Sequence, residues 1–382
     1  MKRSILIAVA LAAASATVAS ATATSTQRNG RILYTEQYVG EDAYGDVYAI
    51  NPNGTGRVLI VKNAVGDGWS PDGKQILFES LRGGDSDLFT VNADGSNVRE
   101  LTFSVGRDAD GSFSPDGTKI AFESNRNNLT GSDIFVMNAD GTGATRLTPG
   151  TGYNADPVWS PDGTRIAFTS DHAGSRDVWV MNADGSSLQR LTTSPGVDEN
   201  PAWSPDGSKI AFDTDRTEPG NLDISVMNAD GSAQHAVAAS PALDALPVWS
   251  PDGLQIAFAS ERTGKHQRRV YVMNADGSDV RLLGKPARPF HGTTLPSWGV
   301  RPHGDVCTIE GTVNNDVLVG TSGRDVICTN GGSDTVHAGA GNDVIYARDG
   351  RPDVIDGGPG RDVAHVDRKL DVVRNVEARV YR

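Results

Sequence analysis

Trp159-Ser160-Pro161-Asp162-Gly163, followed after Thr164 by Arg165-Ile166-Ala167-Phe168, is one of five near-copies of a single phrase. The others begin at Trp69, Phe113, Trp203 and Trp249. Their prolines, Pro71, Pro115, Pro161, Pro205 and Pro251, stand 44, 46, 44 and 46 residues apart. A fixed period of this length marks one supersecondary unit stacked repeatedly, and it decides the architecture before any local reading.

Outward from Trp159 the unit reads as four strands. Pro157-Val158-Trp159-Ser160 is a short apolar strand. Pro161 pre-sets φ, Asp162 bonds back to nearby amides and Gly163 tolerates positive φ, so the chain turns. Arg165 to Ser170 is the second strand, and a polar loop through His172, Gly174 and Arg176 follows. Asp177 to Met181 is a third strand, apolar on both faces. Asn182-Ala183-Asp184-Gly185 is a hairpin turn signal, and Leu188 to Thr192 is a more polar fourth strand. A strand apolar on both faces must be covered on both sides. A radial array of four-stranded blades does this by sandwiching each sheet between its neighbours. A linear array is the alternative, and it needs polar end caps.

The ends of the series test closure. The hairpin phrase occurs six times, at Asn51, Asn92, Asn138, Asn182, Asn228 and Asn274, whereas the Ser-Pro-Asp-Gly turn occurs five times. The series enters at Arg31-Ile32-Leu33-Tyr34-Thr35, already a second strand. A spare first strand appears late, at Leu295-Pro296-Ser297-Trp298. The simplest account has this strand completing the first blade, so that six blades close into a ring without an open edge.

The pattern Pro-x-Trp-Ser-Pro-Asp-Gly, then Ile-Ala-Phe, then Asp-Ile-x-Val-Met-Asn-Ala-Asp-Gly, then Leu-Thr, resembles the TolB-type, WD-repeat-like β-propeller family. The likeness runs from about Arg31 to Pro302 and implies a six-bladed propeller. It leaves the function open, since that broad family includes periplasmic partner-binding proteins and the non-catalytic propellers of some peptidases.

On such a scaffold the repeated Trp, Asp and Gly residues are structural. Trp69, Trp159, Trp203 and Trp249 wedge between blades, and Asp72, Asp116, Asp162, Asp206 and Asp252 hold turns. Non-repeated loop residues carry specificity. One loop set contains Arg82, Arg126, Arg176, Arg216 and Arg262. A second, expected on the same rim, contains Asp108, Asp110, Tyr153, Asp198, Glu199, Asp244 and His291. The arginines are candidates for binding an acidic peptide or sugar. The competing reading pairs each with an acidic neighbour such as Asp87, Asp133 or Asp223.

Composition sets outer bounds. The 382 residues suffice for two modest domains. The net charge of −13 argues against nucleic acid and anionic membranes as partners and suits cations. Met1-Lys2-Arg3-Ser4, an apolar run from Ile5 to about Ala16, and Ala-x-Ala near Ala21 read as a secretory signal over residues 1–23. No second apolar stretch follows, so no integral membrane segment is expected and the chain is expected to be secreted, whether extracellular, periplasmic or at the cell surface. The two cysteines, Cys307 and Cys328, favour a disulfide in an exported protein.

After Gly304 tryptophan disappears, and Asp, Gly and Val dominate. Aspartates fall at Asp316, Asp325, Asp334, Asp343, Asp353 and Asp362, in steps of 9, 9, 9, 10 and 9. An apolar residue follows most of them by two positions: Leu318, Ile327, Val336, Ile345 and Ile355, with Ala364 the smallest. Glycine precedes by two at Gly323, Gly332, Gly341 and Gly360. This is the Gly-Gly-x-Gly-x-Asp-x-apolar-x nonapeptide of parallel β-helix calcium repeats. Two nonapeptides make one coil, so Asp316 comes near Asp334 and Asp325 near Asp343. Stacked carboxylates repel and call for a hard cation. Ca²⁺ accepts six to eight oxygens in irregular geometry, and the glycines let carbonyls turn inward.

From about Gly311 to His365 the segment resembles the haemolysin-type (RTX) calcium-binding repeats. The resemblance implies ligand positions at Asp325, Asp334, Asp343 and Asp362, each with its preceding glycine. Two departures stand out: Asn314 replaces the glycine before Asp316, and the turn Ala347 to Asp353 carries one extra residue, with Arg351 where glycine belongs. Val372, Val376 and Val380 are expected to cap the coil. With ambient calcium near ~1 mM and a Kd of ~0.1 mM, one site adds only ~1.4 kcal/mol, so several sites must fill together to order this segment.

No Gly-x-Ser-x-Gly elbow, His-Glu-x-x-His or P-loop occurs. His172, His266 and His291 lie in loops, and a metal-dependent polysaccharide-active enzyme using the propeller mouth is the alternative reading. The favoured expectation is a non-catalytic, all-β chain: a six-bladed propeller over 24–303 that binds a protein or glycan, then a calcium-binding parallel β-roll with a C-terminal cap over 304–382.

Overall fold

A computed structural model describes residues 29–38, 44–127, 131–148, 152–264, 268–284, 290–300, 309–310, 315–329, 332–347, 351–367 and 370–381. The secretory signal expected over 1–23 lies outside the described residues. Among those described, the chain is all-β apart from a single 3-10 turn at Leu81–Gly83.

The repeat folds as its residues dictate. Strands Asn154–Trp159, Arg165–Ser170, Asp177–Asn182 and Gln189–Arg190 pair antiparallel in that order. Between the first two, Ser160 Oγ donates to Asp162 Oδ1 at 2.6 Å and accepts the Arg165 N–H at 2.9 Å, while Gly163 turns with φ +70. The phrase therefore repeats because Ser, Asp and Gly jointly close one turn.

Four such four-stranded sheets stand separately. The expectation of six separate blades is corrected at the start of the ring, where the remaining strands form one seven-stranded sheet. The cause is a single continuous strand, Val58–Trp69. Residues up to Ala64 pair with Gly45–Ile50, and those from Val65 pair with Gln75–Ser80. The two halves of this sheet pack face to face through Leu33, Val47, Ile76 and Phe78.

The late strand Phe290–Val300 pairs antiparallel with Asn29–Tyr38, aligning Ile32 with Trp298. Six strands, Val58–Trp69, Asp108–Phe113, Asn154–Trp159, Asp198–Trp203, Asp244–Trp249 and Phe290–Val300, touch in succession and return to the first. Between adjacent sheets the Ile-x-Phe face of one covers the Ala/Val face of the sheet before it, as Phe212 and Ile210 cover Ala167, Val178 and Val180. Phe78, Phe122, Phe168, Phe212 and Phe258 are fully buried in this way, and truncating any one costs ~3–5 kcal/mol.

The C-terminal module is a parallel roll of two sheets. One stacks Val317–Val319, Thr335–His337, Val354–Asp356 and Val372–Arg374; the other stacks Ile309–Glu310, Val326–Cys328, Val344–Ala347, Val363–Val366 and Ala378–Tyr381. Leu318, Val336 and Ile355 from one sheet meet Ile327, Ile345 and Ala364 from the other in a common core. The capping expectation needs correction. Residues 372–374 and 378–381 continue the sheets as their last rungs, and Val372 and Val380 are exposed, although Val376 packs on the core.

Candidate metal centre

Parallel pairing sets each aspartate of the roll one residue before its strand, directly above the aspartate one coil away. Asp316, Asp334 and Asp353 form one column; Asp325, Asp343 and Asp362 form the other. The contact between rungs is directional. The Asp316 N–H donates to Asp334 Oδ1 at 2.8 Å, and Asp334 N–H donates to Asp353 Oδ1 at the same distance. In the other column Asp325 donates to Asp343, and Asp343 to Asp362, each at 2.8 Å. Sequence reasoning anticipated the stacking but not the amide between successive carboxylates. The ten-residue step is absorbed, because Asp353 keeps its place in the column.

Asp334, Asp343 and Asp362 are 1%, 0% and 0% exposed, yet the Oδ2 atom of each has no hydrogen-bond partner. Burial pushes all three carboxyls up, the amide to Oδ1 opposes the shift, and the neighbouring aspartate adds to it. A buried carboxylate oxygen without a partner is costly, and a captured cation relieves it.

Glycine carbonyls line up along the roll. A Cβ on Gly341 would strike the Gly323 carbonyl, and one on Gly360 would strike the Gly341 carbonyl. Carbonyls therefore stack where side chains are absent. Gly332 and Gly341 adopt φ +104 and +141, which disfavour any other residue. Among the described residues no three His, Cys, Asp or Glu side chains converge on one metal position. Two carboxylates per pair of rungs plus glycine carbonyls still form an oxygen-only donor set of the kind calcium takes, so the residues present fit that ion. Cys328 is fully buried on the second strand of its five-stranded sheet and is disulfide-bonded; Cys307 lies outside the described residues.

The propeller arginines are held within their own scaffold. Arg126, Arg216 and Arg262 pair with the fully buried Asp108, Asp198 and Asp244 at 2.7, 2.9 and 2.6 Å. Arg176 pairs with Glu199 at 3.0 Å, and Arg82 donates to the Lys62 carbonyl. The partners differ from those expected. Asp87, Asp133 and Asp223 bond Thr102, Arg146 and Thr217 instead, because the arginine loop folds toward the strand that begins with Asp108, Asp198 or Asp244. Of the three loop histidines, exposed His172 meets Trp179 edge-on; His266 and the His291 side chain lie outside the described residues.

A cluster that the sequence reading did not bring together spans the first and second strands of successive sheets. Arg107 pairs with Asp110 at 3.1 Å, with Glu79 at 3.7 Å and with Glu123. Asp67 accepts the Gly111 N–H at 3.2 Å. Burial, reinforced by Asp110, pushes Glu79 up to about 8 and Asp156 up to about 7. Burial next to Glu79 and Asp110 likewise raises Asp67, and burial next to Glu199 raises Asp213. Acids outnumber bases here, and burial favours their neutral, protonated form.

Residues 61–148 and 193–326, together more than half of the chain, match the TolB beta propeller domain. Residues 129–222 match the Tricorn protease N-terminal beta propeller domain. Residues 310–345 and 329–364 match the RTX calcium-binding nonapeptide repeat. A TolB homolog of Chlorobium luteolum is 43% identical over 63 residues, covering 16% of this chain and 14% of that protein. An uncharacterised protein of Agrobacterium fabrum is 33% identical over 82 residues, covering 21% of this chain and 28% of that one. The chain thus spans less than a third of either curated relative. TolB from Acinetobacter baumannii superposes with a TM-score of 0.61 at 22% identity, over 71% of this chain and 66% of that one, a likeness of fold. With RTX repeats following a TolB-like propeller, the chain is a calcium-binding propeller scaffold.

Proposed function

We propose, for a chain that belongs to the TolB beta propeller domain family, the role of a secreted, non-catalytic binding protein whose roll is ordered by calcium. The observation that carries it is the set of buried Oδ2 atoms on Asp334, Asp343 and Asp362 that lack partners. Asp316, Asp325 and Asp353 complete the two columns, and the carbonyls of Gly323 and Gly341 supply neutral oxygens. Calcium's chemistry here is structural: it neutralises stacked carboxylates and so couples folding to the ion.

The propeller reads as six blades, with the seven-stranded sheet counted as two blades sharing Val58–Trp69. Six packed interfaces around one ring support this count. For the partner, a protein or a glycan, the acids around Arg107 are neutralised by burial and by the arginine itself, so the non-repeated loops are the surface proposed to recognise it. The five paired arginines then serve as framework. A Cys307–Cys328 disulfide would tie the start of the roll to its second coil and suits export.

Titration of the full chain with calcium chloride, followed by calorimetry and circular dichroism, tests the reading. Uptake of several ions with a gain of β signal is expected. No uptake and an unchanged spectrum would refute it. Pull-down from culture medium, with and without chelator, then seeks the partner.

A further inference from the structure

Both aspartate columns run one rung beyond the nonapeptide series, and they end differently. Asp353 donates its N–H to Asp371 Oδ1 at 3.0 Å, and Asp362 donates its N–H to Glu377 Oε2 at 2.7 Å. The register agrees: Val354 aligns with Val372 and Val363 with Ala378, so Asp371 and Glu377 occupy the ligand position of the next coil. Neither belongs to the segments matched as calcium repeats, which end at 364.

Asp371 is closed off. Its second oxygen accepts the Asp367 N–H at 2.6 Å, so main-chain amides already occupy both oxygens. Glu377 stands beside a different environment. Its neighbour Asp362 is 0% exposed, with Oδ2 buried and without a partner. A methyl group placed on Gly357 would stand 2.7 Å from that Oδ2 and would strike the Asn375 carbonyl. The same placement on Gly320 stands 3.0 Å from Asp325 Oδ2 and strikes the Ala338 carbonyl, but there the carboxylate oxygen already accepts the Thr321 N–H at 2.6 Å and the Thr321 hydroxyl at 2.9 Å. Asn375 follows its strand as Ala338 does, and its φ of +48 turns the backbone at that point. The carbonyl-and-carboxylate arrangement of the first coil therefore recurs at the last one, where Asn375 and Glu377 come from outside the glycine-rich motif and the Asp362 oxygen is left open.

We propose that Glu377 is a cation ligand, forming with Asp362 and the Asn375 carbonyl a calcium site beyond the nonapeptide series, while Asp371 ends the other column with amides alone. The inference rests on calcium binding by the roll, and it adds a site that the repeat pattern does not predict. The one-methylene extension of Glu over Asp compensates for a coil shortened from 19 residues, Asp343 to Asp362, to 15, Asp362 to Glu377.

The test is direct calorimetric titration of the full chain with calcium chloride, together with melting in chelator. Glu377→Gln keeps an oxygen acceptor for the Asp362 amide but removes the charge. It should melt like the wild type in chelator and take up a single ion fewer per chain. Glu377→Asp should keep the ion at weaker affinity, a rescue that a purely structural role does not require. Asp371→Asn should keep the full ion count while melting earlier. Wild-type stoichiometry and affinity in Glu377→Gln would overturn the proposal, as would equal ion loss in both neutral variants. Absence of any uptake by the wild type would overturn the calcium reading itself.

Discussion

Asp343 donates its main-chain N–H to Oδ1 of Asp362 at 2.8 Å, while Oδ2 of each of these carboxylates is buried without a partner. At these two rungs one oxygen holds the neighbour and the other is left for an ion. Asp343→Asn keeps an acceptor for the Asp325 amide and deletes one buried charge. In chelator the variant should be more stable than the wild type, because burial disfavours the charged carboxylate. In millimolar calcium the order should reverse. Melting curves in both conditions check it, and a variant less stable in chelator would contradict a role for charge repulsion.

Glycine positions of the roll should differ sharply in tolerance. A Cβ on Gly360 strikes the Gly341 carbonyl, whereas one on Gly323 meets nothing closer than Thr321 Oγ1 at 3.8 Å. Gly360→Ala should cost about 1–3 kcal/mol or more and abolish calcium-induced folding of the roll. Gly323→Ala should bind calcium like the wild type. Equal calcium response in the two variants would show that the carbonyl stack is dispensable.

The contrast between those two glycines also shows where sequence reading stops. Period alone located both, since the aspartate and apolar positions recur in phase, and it likewise located the closing strand that aligns Trp298 with Ile32. Period could not show that Gly323 contributes a carbonyl and Gly360 an absence of side chain. Asp371 and Glu377 were invisible because register, not spacing, places them. The acids Glu79, Glu123 and Asp213 carry a signal in the sequence: each follows the Phe of its second strand, in phase with the repeat. The join between the first two sheets stayed hidden because Val58–Trp69 lacks any punctuating turn.

The paired arginines carry a stability prediction rather than a binding one. Arg216 donates to both oxygens of Asp198, at 2.9 Å each, and Asp198 is 0% exposed. Arg216→Ala strands a buried carboxylate, for which about 3–5 kcal/mol is expected. Arg82→Ala removes an exposed side chain that lies over Phe78 and donates to the Lys62 carbonyl, and should cost at most about 1 kcal/mol. Chemical denaturation of the two variants in calcium decides, and similar losses would refute the assignment.

The carboxylates around Arg107 fix the sign of the propeller's pH response. Glu79 titrates near 4.5 when unfolded and at about 8 in the folded chain, because burial and Asp110 disfavour its charged form. Between those values the folded state holds the proton that the unfolded state has released. Stability from this group is therefore complete below about pH 4.5 and is lost as pH rises toward 8. Asp156, raised to about 7, works in the same direction. The turn aspartates Asp116, Asp162 and Asp184 are lowered by hydrogen bonds from Ser or Thr, so they titrate below this window and do not oppose it. Glu79→Gln fixes the neutral form. Relative to the wild type it should gain at least about 1 kcal/mol as pH rises from 5 to 8, one pKa unit being worth about 1.4 kcal/mol. Denaturation in chelator across that range measures the difference, and parallel curves would mean that Glu79 is ionised throughout.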